Sequence, residues 1–366
     1  MNILFYTPFS GRSRDTETLM IRFKNEGYNV YYVSQQYGRE IESILEINKI
    51  KVFHSPLKGK TGIFAYFKEI LFLILFCRKH KINIIFSHLE PAHFPAVFAQ
   101  YLVKAKLYIC RHHVDEMHLS FKNQLLSYRL TYRLGKNFIV VSKRAKDFMT
   151  NVEKIRPDKV KILNLAYDFN LYDQVNQNLV KKIREEYNAD LLIISACRLV
   201  KDKRPDLSIL TIEKLIKRGI NVKLILLGDG ELHNPLQKLI NEKNLNKCCF
   251  LLGRKKNILD YLAASDILIH PSLIDSSSVI VKEAGLVSKP VLVCRDVGDC
   301  EDYIKNSVNG FLVSKDNFVE ESTEILVDFL ANKSNYNDLG KNLRNDVINL
   351  FGIDNVFPLY TQFLNK

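Results

Sequence analysis

Short, nearly continuous apolar segments recur along this chain, each followed by a longer amphipathic stretch, and that alternation narrows the fold more than any other feature. A first series runs NILFYT (2–7), NVYYVS (29–34), INIIFSH (82–88), KLYIC (106–110) and NFIVVS (137–142). A second runs LLIISA (191–196), VKLILLG (222–228), CCFLLG (248–253), DILIHP (266–271) and PVLVC (290–294). Strands that are apolar on both faces, alternating with helices, predict parallel sheets covered on each side. The expected fold class is α/β: two Rossmann-like, doubly wound parallel-sheet domains, separated by the polar stretch YDQVNQNLVKK within 165–185. Such sheets bind ligands beyond the carboxyl ends of their strands, so two domains facing each other would form a cleft there.

Bulk properties remove several classes. With 366 residues, 47% apolar and 25% charged, the chain can bury two cores. MNILFY reads as a first strand with no basic leader before it, and the longest apolar run, ILFLILFC (70–77), falls far short of the roughly 18 residues of a membrane span. Seven cysteines without a C-x-x-C pair read as reduced thiols of a cytoplasmic protein rather than disulfides or zinc ligands. The net charge of +13 suits nucleic acid, an anionic membrane or a phosphorylated small molecule. The basic residues are spread along the chain and no nucleic-acid-binding signature appears, so nucleic acid is not an expected partner. Basic concentrations at KGK (58–60), CRKHK (77–81) and YRLTYRLGK (128–136), two of them flanking the apolar helix around 64–77, predict a protein resting peripherally on the inner face of a membrane.

Three stretches of the second series carry chemistry. In SACRLVKDKRPDLSIL (195–210), Arg198 and Lys203 stand in a loop between a strand and a helix opening at Pro205; two cations beside a helix start suit a diphosphate, and a plain basic surface loop would leave the same trace. In LLGDGELHNPL (226–236), Gly228 and Gly230 follow a strand, but His233 stands where a dinucleotide fingerprint needs its third glycine. The pair reads as a tight turn that lets a base or ribose approach the backbone. In IDSSSVIVKEAG (274–285), Ser276, Ser277 and Ser278 are suitable N-caps for a helix over 278–287, whose first free N–H groups at Val279 and Ile280 would face an anion. Glu283 lies about 6 Å farther along the same face at 1.5 Å per residue, so a phosphate docked at the helix start would have Asp275 on one side and Glu283 on the other. An ordinary capped helix with a surface acid is the alternative.

The order of these motifs resembles the family 4 retaining glycosyltransferases (glycosyl transferases group 1), which have the GT-B fold. The acid–seven residues–acid pair Asp275 and Glu283 is followed by GLVSKPVLV, by DVGDCEDYI with its glycine turn and acid, and by the glycine-led NGFLV (309–313), while Arg198 and Lys203 match the family's R-L-x-x-x-K pair. The chain departs from the family in having Asp275 where Glu is usual, Ser277 and Ser278 where an aromatic-glycine pair is common, and FSGR with Gly11 alone after the first strand. The resemblance implies an N-terminal acceptor domain over 1–172, a nucleotide-sugar domain over 173–349, and a terminal helix over 350–366 that crosses back to the first domain.

It also implies the partners and the chemistry. A sugar moves from a nucleotide diphosphate, UDP- or GDP-linked, to a hydroxyl of a saccharide acceptor, lipid-linked and part of a bacterial surface polysaccharide such as O-antigen, capsule or lipopolysaccharide. The anomeric configuration is retained, and no metal or other cofactor takes part. Asp275 would position the sugar, Glu283 the ribose, and Arg198, Lys203 and the helix start the leaving diphosphate. In YICRHHVDEMH (108–118) the family places a histidine near the transferred sugar; His112 is the preferred match and His113 the other. A metal site from His113, Asp115 and His118 is a competing reading, with spacing poor for one helical face. Ser10, Gly11 and Arg12 would touch phosphate or acceptor, and His88 and His93 in SHLEPAHFP would be acceptor-groove or structural residues. The substitutions at 275, 277 and 278 leave a non-catalytic nucleotide- or glycan-binding module as the alternative function.

Overall fold

The computed structural model describes residues 1–8, 13–37, 39–56, 62–114, 125–172, 174–336 and 338–364. It separates into two compact units, Met1–Asp168 with Phe351–Lys366, and Phe169–Leu350. Each is a parallel sheet between helical layers.

The sheet of the first unit comprises β1 (Asn2–Thr7), β2 (Asn29–Ser34), β3 (Lys51–His54), β4 (Ile84–His88), β5 (Lys106–Arg111), β6 (Phe138–Val140) and β7 (Val160–Ile162), in the spatial order β3-β2-β1-β4-β5-β6-β7. Every neighbouring pair is parallel. Central strands are apolar on both faces because each face meets a core of its own: Leu4, Tyr6, Ile85 and Ile109 point into one, Ile3, Phe5, Phe86 and Tyr108 into the other. The expected strands are present, β1 and β2 with the bounds read and the others shifted by one or two residues, while β3 and β7 were not anticipated. Both lie on sheet edges, where a short strand such as KVFH or VKI needs no long apolar run.

The second unit repeats the plan with β8 (Leu191–Ala196), β9 (Val222–Leu227), β10 (Cys249–Leu251), β11 (Ile267–His270), β12 (Val291–Cys294) and β13 (Phe311–Val313), in the order β10-β9-β8-β11-β12-β13, again parallel throughout. In both sheets the chain works outward in one direction and then returns to the other side of its first strand. The order therefore reverses between β1 and β4 and between β8 and β11. Loops leaving two such strands part in opposite directions and open a crevice at their carboxyl ends.

The last helix, Ile353–Leu364, belongs to the first unit. Tyr167 N donates to Phe351 O at 2.8 Å and Ile353 N to Tyr167 O at 2.9 Å, which brings the chain end back to the β7 side of the boundary. Val356, Phe357 and Tyr360 then enter the core beside Phe5, Phe23 and Phe86, and Arg22 pairs with Asp354 at 2.7 Å. Phe357 is 5% exposed and meets Phe23 edge-on at 4.9 Å. Replacing it with alanine should destabilise the first unit by about 3–5 kcal/mol, the usual cost of an emptied aromatic site. Urea unfolding measures this; a loss under about 1 kcal/mol, the scale of a surface change, would mean the helix does not seal that core.

Candidate active site

In the second unit the loops after β8 and β11 are tied together across the strand-order reversal. After β8 the chain makes a tight turn at Lys201–Lys203, Arg204 adopts a left-handed conformation (φ 45°), and Pro205 opens the helix Pro205–Lys217, where its fixed φ costs nothing. Lys203 Nζ donates to Ile274 O at 2.8 Å and to Asp275 Oδ2 at 2.9 Å, and Leu273 N donates to Asp202 O at 2.8 Å. Asp275 also accepts from Ser276 N at 3.0 Å, and its Oδ2 lies 3.3 Å from Nε2 of His270, the last residue of β11. Burial alone would raise this carboxyl, but the His270 hydrogen bond and the Lys203 charge overcome it and hold the group below the usual carboxylate range. The two residues thus form one fixed ion pair at the β8/β11 crevice. An ammonium has three donors, and Ile274 and Asp275 take two of those of Lys203. Arg198 is exposed, and its side chain has no ion-pair or hydrogen-bond partner among the described residues.

Beneath that pair lies a second, buried one. Lys282 Nζ donates to Asp299 Oδ2 at 3.0 Å and to Ser278 O at 3.2 Å, both ionic side chains being 2% exposed, and Ser277 Oγ donates to the same Oδ2 at 2.5 Å. Burial raises the Asp299 carboxyl, with Lys282 and Ser277 pulling the other way. Gly298, at φ 56°, backs onto the 275–276 peptide: a Cβ there would stand 2.8 Å from Ser276 O. Only glycine suits that conformation and that contact together. The glycine-acid turn after β12 therefore clamps the loop that starts the helix Val279–Leu286.

One expectation is corrected here. Ser278 is the N-cap by backbone geometry, but no serine side chain caps the helix: Ser277 turns to Asp299, and Ser278 Oγ lies 3.3 Å from His270 Nε2. The buried Lys282–Asp299 pair and His270 compete for those hydroxyls and win, so no side-chain cap covers the first-turn N–H groups at Val279 and Ile280. Val279 is partly exposed, Ile280 half-buried and Glu283 buried in the following turn. Gly228 and Gly230 sit over the same crevice for a different reason from the one read in the sequence. At Gly228 a Cβ would stand 1.8 Å from Cys197 O, and at Gly230 2.5 Å from Leu199 O. The room they leave is filled by the chain's own 197–199 loop, which carries Arg198.

In the first unit, His112 follows β5 directly and its Nε2 lies 2.9 Å from His88 Nδ1 at the end of β4. The two rings stack at 5.2 Å beside a pocket also lined by Asp15, Cys110, Arg111 and Tyr360 of the crossing helix. His88 Nε2 is buried without a partner. A proton there would be an orphan donor, so the favoured tautomer has His88 donating from Nδ1, which leaves the proton of His112 on its own Nδ1. Burial lowers both imidazoles, along with that of His93, whose Nδ1 lies 2.9 Å from Ser87 Oγ. Arg111, 2% exposed, sets this loop: it donates to His113 O at 2.8 Å and to Val114 O, pairs with Glu153 at 2.6 Å, and stacks against Tyr128, Tyr132 and Phe148. Ser10, Gly11, Arg12, Asp115 and His118 lie outside the described residues, and among the described ones no three His, Cys, Asp or Glu gather as a metal site.

The structure thus brings Lys203 and Asp275 together, with the Val279 helix start on the same loop, and puts His112 on the other unit. Sequence reading missed His270, Lys282, Asp299 and Arg111. His270 was hidden at the end of an apolar strand, and Arg111 stood in a stretch read only for its histidines.

Two doubly wound parallel-sheet domains, the second with side-chain-linked loops over its strand-order reversal, define a protein of GT-B type. Residues 176–346 match the family described as Glycosyl transferases group 1, and residues 10–170 match Glycosyltransferase Family 4. The chain belongs to this family of glycosyltransferases. An uncharacterized glycosyltransferase of Methanocaldococcus jannaschii is 27% identical over 68% of the chain, and the match spans 64% of that relative's length. The capsular polysaccharide biosynthesis glycosyltransferase CapM of Staphylococcus aureus is 22% identical over 91% of the chain and 88% of its own length. The Escherichia coli UDP-Gal:alpha-D-GlcNAc-diphosphoundecaprenol alpha-1,3-galactosyltransferase is 30% identical over 38% of the chain and 37% of its own. Among solved structures, Anabaena HepE in complex with UDP superposes with a TM-score of 0.85 at 18% identity over the whole of both chains, and HepE with UDP-glucose with 0.82 at 19% over 100% of this chain and 99% of that one. Relatives of the chain thus serve in bacterial cell-surface polysaccharide biosynthesis.

Lys282→Ala tests the buried clamp. Removing one partner of a desolvated pair leaves the other charge stranded, so the second unit should lose about 3–5 kcal/mol in urea unfolding. A loss below about 1 kcal/mol would show that Asp299 does not depend on Lys282.

Proposed function

We propose that this protein transfers a sugar from a nucleotide diphosphate, UDP-linked by preference, to a hydroxyl of a lipid-linked saccharide, with retention and without a bound metal. The observation that carries the reading is the Lys203–Asp275 pair at the β8/β11 crevice, next to an exposed Arg198 and a helix start that no side chain caps. Negative charge grows on the departing diphosphate as the glycosidic bond lengthens, and cations and N–H dipoles already in place stabilise it without reorganising. Arg198 and the donor Lys203 keeps in reserve would meet the phosphates, with the N–H groups of Val279 and Ile280 behind them. Asp275, held ionised, would orient sugar hydroxyls, and Glu283 the ribose. With the phosphate itself taking the acceptor's proton, no carboxylate nucleophile is required, in contrast to retaining glycosidases. His112, with its proton on Nδ1, would donate a hydrogen bond to the sugar. The UDP and UDP-glucose complexes of HepE and the UDP-Gal specificity of the E. coli relative support the choice of base; that relative's diphosphoundecaprenol acceptor supports a lipid-linked one.

A lipid-linked acceptor calls for a membrane surface, and the helix Ile63–Lys79 supports one. Phe64, Phe67, Leu71 and Leu75 are 83%, 69%, 49% and 56% exposed at spacings that align them on one face, with Arg78 and Lys79 in its last turn. Lys58–Lys60 of the basic run before it lie outside the described residues. No helix among the described residues is long and apolar enough to cross a membrane; the association we propose is peripheral, at the cytoplasmic face.

Lys203→Ala should reduce turnover of a UDP-sugar by roughly tenfold or more, as expected for a lost donor to a developing anion, in a protein that stays folded by circular dichroism. Activity should survive a chelator such as EDTA. A folded variant with full turnover, or activity abolished by EDTA and restored by Mg²⁺, would contradict the assignment. Phe67→Ser with Leu71→Ser should lower flotation with phosphatidylglycerol vesicles; flotation equal to that of the parent would remove this helix from the membrane contact.

A further inference from the structure

The first unit contains a second concentration of positive charge that glycosyl transfer does not use. A groove of about 490 Å³ runs between the helix Leu125–Leu134 and the segment 152–159, lined by Arg129, Arg133, Lys154, Arg156 and Lys159, with Tyr128 and Tyr132 in its inner wall. That volume lies within the range of small-ligand sites. Arg129 and Arg133 stand four residues apart on one helix face. Both are exposed, as is Lys154, and the three side chains have no ion-pair or hydrogen-bond partner among the described residues. Arg156 pairs with Asp158 at 2.8 Å, and Lys159 donates to Gly135 O at 3.3 Å. Glu153, the one acid in the lining, turns inward to Arg111 and to Tyr128 OH at 2.5 Å, so it does not neutralise the groove. The backbone here is unusual as well. Residues Phe148–Val152 form a π-helical turn, and Lys154 holds a left-handed conformation at φ 59°, which turns the segment out of the regular helical path beside the groove.

Unpaired cations gathered in one concavity over tyrosine rings match an oxyanion with several acceptor oxygens. We propose that the 128–159 groove is a binding site for a phosphate group, separate from the donor site on the other unit. Two sources share that chemistry, the headgroup of an anionic lipid and a soluble phosphate ester. The groove also joins the surface described above: Arg78 of the exposed apolar helix donates to Leu102 O at 3.2 Å, Tyr101 OH to Leu134 O at 2.8 Å, and Lys136 lies over the Tyr101 ring at 4.5 Å. A lipid phosphate could therefore sit in the groove while the apolar face of that helix touches acyl chains. The inner wall holds Arg111 in turn, which fixes the carbonyls of His113 and Val114, so an occupant would lie one layer from the loop that presents His112.

Acetylation of Lys154 in the full chain, read by mass spectrometry, tests this without reference to activity. Inorganic pyrophosphate, phosphatidylcholine vesicles and phosphatidylcholine vesicles containing phosphatidylglycerol are the three probes. Protection by the phosphatidylglycerol vesicles but not by phosphatidylcholine alone supports the site and names a lipid source; protection by pyrophosphate with none from vesicles supports it and names a soluble one. In the Arg129→Ala/Arg133→Ala variant the probe concentration giving half protection should rise about tenfold or more, because the charge-assisted hydrogen bonds of both guanidinium groups are lost. Both side chains are exposed, so the variant should keep the parent's melting temperature. Lys154 equally reactive with and without every probe, or protection unchanged in the double variant, would overturn the proposal. The readout is confined to the groove, so a protein that transfers no sugar but protects Lys154 would still support it.

Discussion

The ion pair between Lys203 and Asp275 spans the place where the second sheet reverses its strand order, and the rest of the candidate site is arranged around it. Two loops from adjacent parallel strands would otherwise diverge from a crevice with no fixed charge. The pair sets their separation, keeps the carboxylate ionised and leaves the ammonium with a donor to spare. Its geometry depends in turn on the layer below, where Lys282, Asp299, Ser277 and Gly298 fix the loop that ends at the helix Val279–Leu286. Charged groups are costly to bury, and Asp299 bears this out in its raised carboxyl, but the cost fixes a helix tip that no side chain occupies.

The sequence made the sheets legible because a strand buried on both faces has no polar positions to hide in: LLIISA became Leu191–Ala196 and NILFYT became Asn2–Thr7 with their bounds unchanged. Edge strands were harder, because β3 and β7 are short and only partly buried, so neither length nor alternation distinguishes them from loop. Polar partnerships were harder still. Nothing in a serine run says that one hydroxyl will turn to an aspartate 22 positions later, or that a lysine between a valine and a glutamate will be buried rather than solvated. Those choices depend on which strand lies beside which, and the order β8-β11-β12 is a property of the sheet, not of any one segment.

Arg111 and Lys282 make the same point from opposite ends of the chain. Both belong to stretches singled out for other residues, yet each is 2% exposed and holds the backbone of a candidate-site loop. Arg111 does so through two carbonyls, a carboxylate and three aromatic rings, which is more than a lysine's single ammonium can span. The net charge of +13 is thus not a uniform coat. Part of it is internal scaffolding, part stands over the β8/β11 crevice, and part lines the groove of the first unit.

The most direct measurement is a crystal structure of the protein soaked with a nucleoside diphosphate such as UDP. The diphosphate oxygens should lie within hydrogen-bond reach of Lys203 Nζ, the Arg198 guanidinium and the N–H groups of Val279 and Ile280, with the Lys203–Asp275 contact retained. A diphosphate seated elsewhere, with those donors still facing solvent, would contradict the account.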